Sequence, residues 1–171
     1  MGKLTGIALI LCGCGGILVN WYERQKRRQR TAAAFIQLLV SWEYSLEREK
    51  MRLSDFLEQY TTGNTRMDAF LETLNRTLKT CSFPTGDVLW REVLEQYRED
   101  LDLSDAIWEF MCSASGAFFG SNRKESMQCA ESTRRRIEEQ LAEERREFVR
   151  RQKVYMPVGM LGGVLLVILL I

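Results

Sequence analysis

Two uncharged apolar stretches limit how this chain can fold, because each is long enough to cross a membrane. They cover residues 4–22 and 154–171, which are 19 and 18 residues long. As helices they would extend about 27 to 29 Å, close to the thickness of a bilayer's hydrocarbon core. The sequence therefore predicts one transmembrane helix at each of these places.

Basic residues border both stretches on the side that faces the middle of the chain. Five follow the first stretch and three directly precede the second: Arg24, Lys26, Arg27, Arg28 and Arg30, then Arg150, Arg151 and Lys153. Lys and Arg are enriched in the cytoplasmic flanks of membrane spans, and they attract anionic lipid. We therefore expect residues 23–153 to form one cytosolic domain that is attached to the membrane at both ends.

Charge within this middle segment is balanced. It contains all 23 acidic residues of the chain and 23 of its 24 basic residues. A dedicated nucleic-acid binder needs a net basic face to neutralise phosphates, so this balance argues against nucleic acid as a partner.

The first apolar stretch also permits a different interpretation. Residues 11–14, Leu-Cys-Gly-Cys, are close to the cleavage box of a bacterial lipoprotein, in which Cys14 would carry the lipid. The protein would then be an exported, lipid-anchored binding protein. The basic residues after the stretch and its apolar continuation to Trp21 and Tyr22 favour an uncleaved span instead.

Helical periodicity runs through most of the middle segment and predicts an all-α helical bundle. A first helix is expected to run from the first span to about Lys50, with an apolar face of Phe35, Leu39, Trp42 and Leu46. A turn at residues 61–64 and a capping box from Thr65 to Asp68 should open a second helix. Its apolar face consists of Met67, Phe70, Leu71, Leu74 and Leu78.

Two more helical patterns follow a break at residues 82–86, which contain Pro and Gly. The apolar positions of the first are Val88, Leu89, Val93, Leu94 and Tyr97. A helix N-cap is expected within residues 102–105, ahead of a single segment with Ile107, Phe110, Met111, Ala114 and Phe118.

The last helix of the middle segment is highly charged, and its apolar stripe is sparse. The stripe consists of Thr133, Ile137, Leu141 and Phe148, and we expect it to pack antiparallel on the apolar face of the first helix. The charged residues can form a solvated face held by pairs within the helix. They can also form a docking surface for another subunit, for which the candidates are Arg134, Arg135, Arg136, Glu138 and Glu139.

Residue types that catalysis commonly uses are scarce. The chain has no His, and its five Cys lack the spacing of a zinc site or a redox motif. No glycine-rich loop that could hold a nucleotide phosphate occurs. We therefore expect a protein that is not an enzyme and that uses no metal, cofactor or small-molecule substrate.

Glycines are concentrated in the two predicted spans. Small residues let membrane helices approach closely, so Gly13, Gly16, Gly159 and Gly163 are candidates for packing between spans. Glycine is also common in spans without such a role.

The order of these elements resembles the stage III sporulation protein AB family. The resemblance is carried by the Ser-Gly-Ala-Phe-Phe-Gly junction at residues 115–120, by Gln128 ahead of the charged helix, and above all by the terminal segment 157–171. It implies a helical cytosolic part similar to the platform protein of type II secretion and type IV pilus machines.

This resemblance also implies a function and a location. It predicts a subunit of the channel complex between mother cell and forespore, in the mother-cell membrane that faces the forespore, with its soluble domain in the cytoplasm. The implied partners are the membrane, a cytosolic ATPase and multispan membrane subunits of the same complex.

Overall fold

A computed structural model of the protein describes the backbone of residues 2–48, 51–80 and 85–170, and the side chains of residues 19–48, 51–80 and 85–153. These ranges contain helices and no strand, which confirms the predicted all-α class. The helices are α1 (Gly2–Arg48), α2 (Leu53–Gln59), α3 (Thr65–Thr80), α4 (Gly86–Gln96), α5 (Arg98–Leu101), α6 (Asp105–Ser113), α7 (Ser115–Phe119) and α8 (Arg123–Leu170).

The chain divides into two units. The compact unit is Arg27–Leu141, and the terminal unit combines Met1–Lys26 with Ala142–Ile171. The compact unit is shorter at both ends than the predicted domain of residues 23–153.

The side chains of most residues in the two predicted spans lie outside the described part of the chain. The same holds for Cys14 and for the four glycines proposed to pack between spans. Among the residues that are described, no helix is long and apolar enough to cross a membrane.

Trp90 of α4 lies at the centre of the compact unit's core. Its side chain is fully buried and stacks on Phe118 of α7, with ring centroids 4.8 Å apart. The rings of Trp90 and of Phe70 on α3 pack edge to face, with centroids 5.4 Å apart. The indole Nε1 donates a hydrogen bond to the carbonyl of Met111 at 2.8 Å, so the polar atom of this buried residue has a partner.

The prediction for α4 was wrong at one edge of its apolar face. Val88, which was assigned to that face, is 45% exposed, whereas Trp90, which was not, is fully buried. The buried positions of α4 are Leu89, Trp90, Val93 and Leu94. Because each residue advances about 100° around a helix, a stripe centred on these four positions leaves position 88 beyond its border.

The apolar face predicted for α1 is confirmed. Phe35, Leu39 and Trp42 are buried, and Leu38 joins them. Leu46 is partly buried and packs against the same core. Trp42 donates from Nε1 to the carbonyl of Ala117 at 2.7 Å and packs on Phe56 of α2, with ring centroids 5.1 Å apart.

At the start of α3 the predicted capping box is displaced. The carboxamide oxygen of Asn64 accepts hydrogen bonds from the backbone N–H groups of Arg66 and Met67, at 3.1 and 3.4 Å. Asp68 instead accepts from the backbone N–H and the hydroxyl of Thr62, both at 2.7 Å. Asn is a preferred N-cap, and once it holds that position Thr65 becomes the first residue of the helix.

The segment predicted as one helix after residue 105 consists of two, α6 and α7, which meet at Ala114. The short helix α5 before them was not predicted. Asp102 lies at its C-terminal end with φ 45°, and the N-cap of α6 is Ser104. At the other end of this region, the side chain of Phe119 lies so close to the Cα of Gly86 that a Cβ there would collide with its ring.

The sparse stripe of α8 divides between the two units. Thr133, Ile137 and Leu141 are buried, as predicted, and the last two belong to the core of the compact unit. Phe148 belongs to the terminal unit, where its ring lies 5.0 Å from that of Trp21 and 5.8 Å from that of Tyr22.

Candidate interaction surfaces

The five residues predicted as a docking surface on α8 do not share one environment. The side chain of Arg134 is only 26% exposed, whereas that of Arg135 is 79% exposed. Arg134 Nε lies 3.4 Å from a carboxylate oxygen of Glu43 on α1, and its Nη1 lies 3.2 Å from Glu138. The structure therefore places Arg134 in an ion pair inside the compact unit.

Burial changes the pKa of both members of this ion pair. Burial raises the pKa of Glu43, although the charge of Arg134 and its hydrogen bond act in the opposite direction. For Arg134, burial lowers the pKa, but the contacts with Glu138 and Glu43 outweigh it and the pKa is raised. Burial therefore outweighs the charge contacts at Glu43, which has one cation beside it. At Arg134 the contacts outweigh burial, because two carboxylates lie beside the guanidinium.

The remaining four residues form what we call the charged face: Arg135, Arg136, Glu138 and Glu139, all exposed. Arg135 Nε lies 3.3 Å from Glu139 one turn along the same helix. Exposed pairs of this kind contribute only about 0.3 to 0.5 kcal/mol to helix stability. Arg135 and Glu139 therefore pair within α8 rather than with another helix of the compact unit.

The basic residues predicted to flank the first span also separate into different roles. Arg28 donates from Nε and Nη2 to one carboxylate oxygen of Asp102, at 3.1 and 2.9 Å. This contact spans 74 residues of sequence and holds α1 to the end of α5. Arg27 and Arg30, by contrast, are exposed.

Arg27 and Arg30 border a cavity of about 450 Å³ that we call the arginine groove. On α1 it is lined by Arg27, Arg30, Thr31, Ala33, Ala34 and Gln37. On the opposite side, at the turn into α3, it is lined by Thr62, Gly63, Asn64, Thr65 and Arg66. Gly63 has φ 73°, a left-handed conformation that glycine adopts without strain, and it turns the chain into α3. Sequence reasoning identified this turn but missed the groove, because nothing in the sequence pairs Arg30 with Arg66.

Exposed apolar side chains are concentrated in the terminal unit. Val19, Trp21 and Tyr22 of α1 and Val149 of α8 are each more than two-fifths exposed. Val149 borders a shallow hollow together with the basic residues Arg145, Arg146, Arg150 and Lys153. Arg151, also from the predicted basic flank, lies 3.4 Å from Glu147.

Cys112 and Cys129, the cysteines of the compact unit whose side chains the structure describes, are free thiols. Burial raises the pKa of Cys112, so its thiol stays protonated and weakly nucleophilic at neutral pH. In the ranges that the structure describes, no group of three His, Cys, Asp or Glu residues could hold a metal ion.

One comparison with known proteins finds a match. The family model of stage III sporulation protein AB matches residues 3–171. No curated protein and no solved structure matches the chain.

Proposed function

The chain belongs to the stage III sporulation protein AB family and therefore has a role in sporulation, and we propose that it acts as a membrane platform subunit without enzymatic activity. In this proposal its helical domain faces the cytoplasm of the mother cell. The domain docks the cytosolic ATPase and the multispan membrane subunits of the channel complex between mother cell and forespore.

The charged face is the observation that carries the docking part of the proposal. Its side chains are exposed, and the ion pairs that the structure describes for them stay within α8: Arg135 with Glu139, and Glu138 with Arg134. Charged surfaces of this kind select partners and speed their encounter by complementary potential. Arg134 is excluded from the docking surface, because it is committed to Glu43.

Exposed apolar residues in the terminal unit support the membrane part of the proposal. Trp and Tyr are enriched where a span meets the headgroup layer, and basic residues lie on the cytoplasmic side of it. Trp21 and Tyr22 stand at the inner end of the first apolar stretch and are followed by the basic residues that begin at Arg24. In water, exposing these rings would cost free energy, whereas at an interface both the rings and the cations are stabilised.

Docking is tested by reversing charge on the charged face in the full chain. The double variant Arg135→Glu and Arg136→Glu, expressed with an affinity tag in sporulating cells, should recover at least several-fold less of its partner subunits. The matched control is Arg91→Glu with Arg123→Glu, which reverses two exposed arginines elsewhere in the compact unit. Helical content and thermal unfolding should be unchanged in both double variants.

Equal recovery of the partners by the two double variants would contradict the charged face as the docking surface. Arg134→Glu is unsuitable for this test, because it would place two carboxylates in contact within the compact unit. A loss of partners in that variant would report unfolding as well as docking.

Topology is tested by thiol labelling in intact cells. Reporters are introduced into a chain whose five native Cys are replaced, one as Ser121→Cys at an exposed position and one added after Ile171. A membrane-impermeant reagent should label only the second reporter. Labelling of the first reporter alone, together with an intact mass of the natural chain that lacks residues 1–13, would support the exported protein with lipid on Cys14.

A further inference from the structure

The arginine groove collects three guanidinium groups from two separate helices. Arg27 and Arg30 are three residues apart on α1, so they project from the same side of that helix. Arg66 reaches the groove from the start of α3, and its Nη1 donates to the carbonyl of Asp100 at 2.6 Å. A guanidinium has five N–H donors, so this anchor fixes the side chain and leaves most of its donors available.

Among the described residues, no acidic side chain lines the groove. The nearby carboxylate of Asp68 is occupied by the backbone N–H and the hydroxyl of Thr62. The carboxylate of Asp102 is held by Arg28. Within the described ranges, neither Arg27 nor Arg30 forms an ion pair, so the positive charge at the groove is not neutralised by the protein.

The arginines, rather than the amino end of α3, carry the attraction for an anion. The amide N–H groups of Arg66 and Met67 already donate to the side chain of Asn64. Planar guanidinium groups bind phosphate oxygens through paired hydrogen bonds, which makes a phosphate group the matching ligand chemistry. The hydroxyl and amide side chains of Thr65 and Gln37 add polar contacts beside them.

We infer that the arginine groove binds the headgroup of an anionic phospholipid through its phosphate. Its volume lies within the usual range for small-ligand sites and leaves room for the glycerol beside the phosphate. Ala33 and Ala34 line it with apolar surface that suits those carbons.

The membrane is the source of phosphate that the sequence favours, and this step rests on the proposed function. Arg27 and Arg30 belong to the basic flank predicted beside the first span, and Lys and Arg in such flanks attract anionic lipid.

The test measures lipid binding to the full chain in a neutral detergent, by native mass spectrometry with added phosphatidylglycerol. Phosphatidylcholine at the same concentration should bind much less. The double variant Arg30→Gln and Arg66→Gln should bind phosphatidylglycerol about 25-fold more weakly, because each lost charge weakens binding about fivefold. The control Arg135→Gln with Arg136→Gln removes the same net charge from the charged face and should change binding less than twofold.

A further variant separates the site from general damage. Arg30→Lys with Arg66→Lys keeps both charges but removes the paired hydrogen bonds, so its binding should be weakened less than that of the Gln variant. Circular dichroism must show the same helical content in all variants. If the Gln variant fails to fold, the Lys variant still tests the inference. Phosphatidylglycerol binding as strong in the Lys variant as in the natural chain would show that the guanidinium groups do not contact the phosphate.

Other outcomes would overturn the inference directly. Equal weakening in the groove and charged-face variants would show attraction by net charge alone. Displacement of phosphatidylglycerol by an equal concentration of inorganic phosphate would make free phosphate, rather than lipid, the ligand. Because binding is measured in detergent, a negative result here leaves the results of thiol labelling and co-purification unaffected.

Discussion

Within the compact unit, α1 and α8 contribute to the same core in different ways. Over residues 31–46, α1 buries large side chains that include Phe35 and Trp42, and it hydrogen-bonds to α7 from Trp42. Over residues 126–141, α8 buries Ile137 and Leu141 along a narrow seam and leaves most of its surface charged and exposed. The difference indicates that α1 builds the core, while α8 closes it and keeps the rest of its surface for contacts outside the unit.

The largest expected effect is at Trp42 of α1. Trp42→Ala removes a buried ring and its hydrogen bond to the carbonyl of Ala117, so the free energy of unfolding should fall by about 3 to 5 kcal/mol. Urea unfolding of the full chain in detergent, followed by circular dichroism, measures this loss.

Tyr44→Ala is the matched control on the same helix, because its ring is exposed. It should change stability by less than about 0.5 kcal/mol. Similar losses in the two variants would mean that the buried face of α1 does not dominate the core.

The next largest effect is at Ile137, in the seam of α8. Its side chain is fully buried, and Ile137→Ala should destabilise the compact unit by about 2 to 4 kcal/mol. The same unfolding assay compares it with Glu139→Ala, which alters only the exposed side of α8 and should be near neutral. A neutral Ile137→Ala would show that α8 is not needed to close the core, and would remove the contrast between the helices.

The smallest effect concerns the ion pair that joins the two helices. Because burial raises the pKa of Glu43, the folded protein holds a proton there more tightly than the unfolded chain. Stability from this group is therefore greatest at low pH and falls as the pH rises from 4.5, the reference value, through the raised pKa.

Glu43→Gln removes this dependence and tests its sign. As the pH rises from 4 to 7, the unfolding free energy of the natural chain should fall relative to that of the variant. A shift in favour of the natural chain would mean that Arg134 outweighs burial at this carboxylate.

Sequence patterns predicted the helical class and most of the core, because a helix repeats its faces every 3.6 residues whatever surrounds it. Residues such as Phe35, Leu74, Leu94 and Ile137 are buried as their spacing predicted. The error occurred in α4, where Val88 is exposed and Trp90 is buried. At about 100° per residue, Trp90 falls between Leu89 and Leu94 on the buried face, whereas Val88 lies on the opposite side of the helix.

The candidate surfaces were less accessible to sequence reasoning. The composition of α8 identified the charged face but included Arg134, whose partner Glu43 lies 91 residues away. Likewise the basic flank after residue 22 contained Arg28, which the structure pairs with Asp102. From the sequence, both residues were expected to be exposed surface charges. Their partners are 91 and 74 residues away, so no nearby residue indicates the pairing.

Sequence alone was enough to recognise the helical class, the apolar stretches at both ends, the basic residues beside them and the family to which the chain belongs. These are properties of composition, spacing and order along the chain. The fold, by contrast, shows which charges hold the compact unit together and which remain exposed, and it brings Arg30 and Arg66 to one groove. The physical reason is that charge pairs and cavities depend on distances in space between residues far apart in sequence, and those distances exist only after the core has formed.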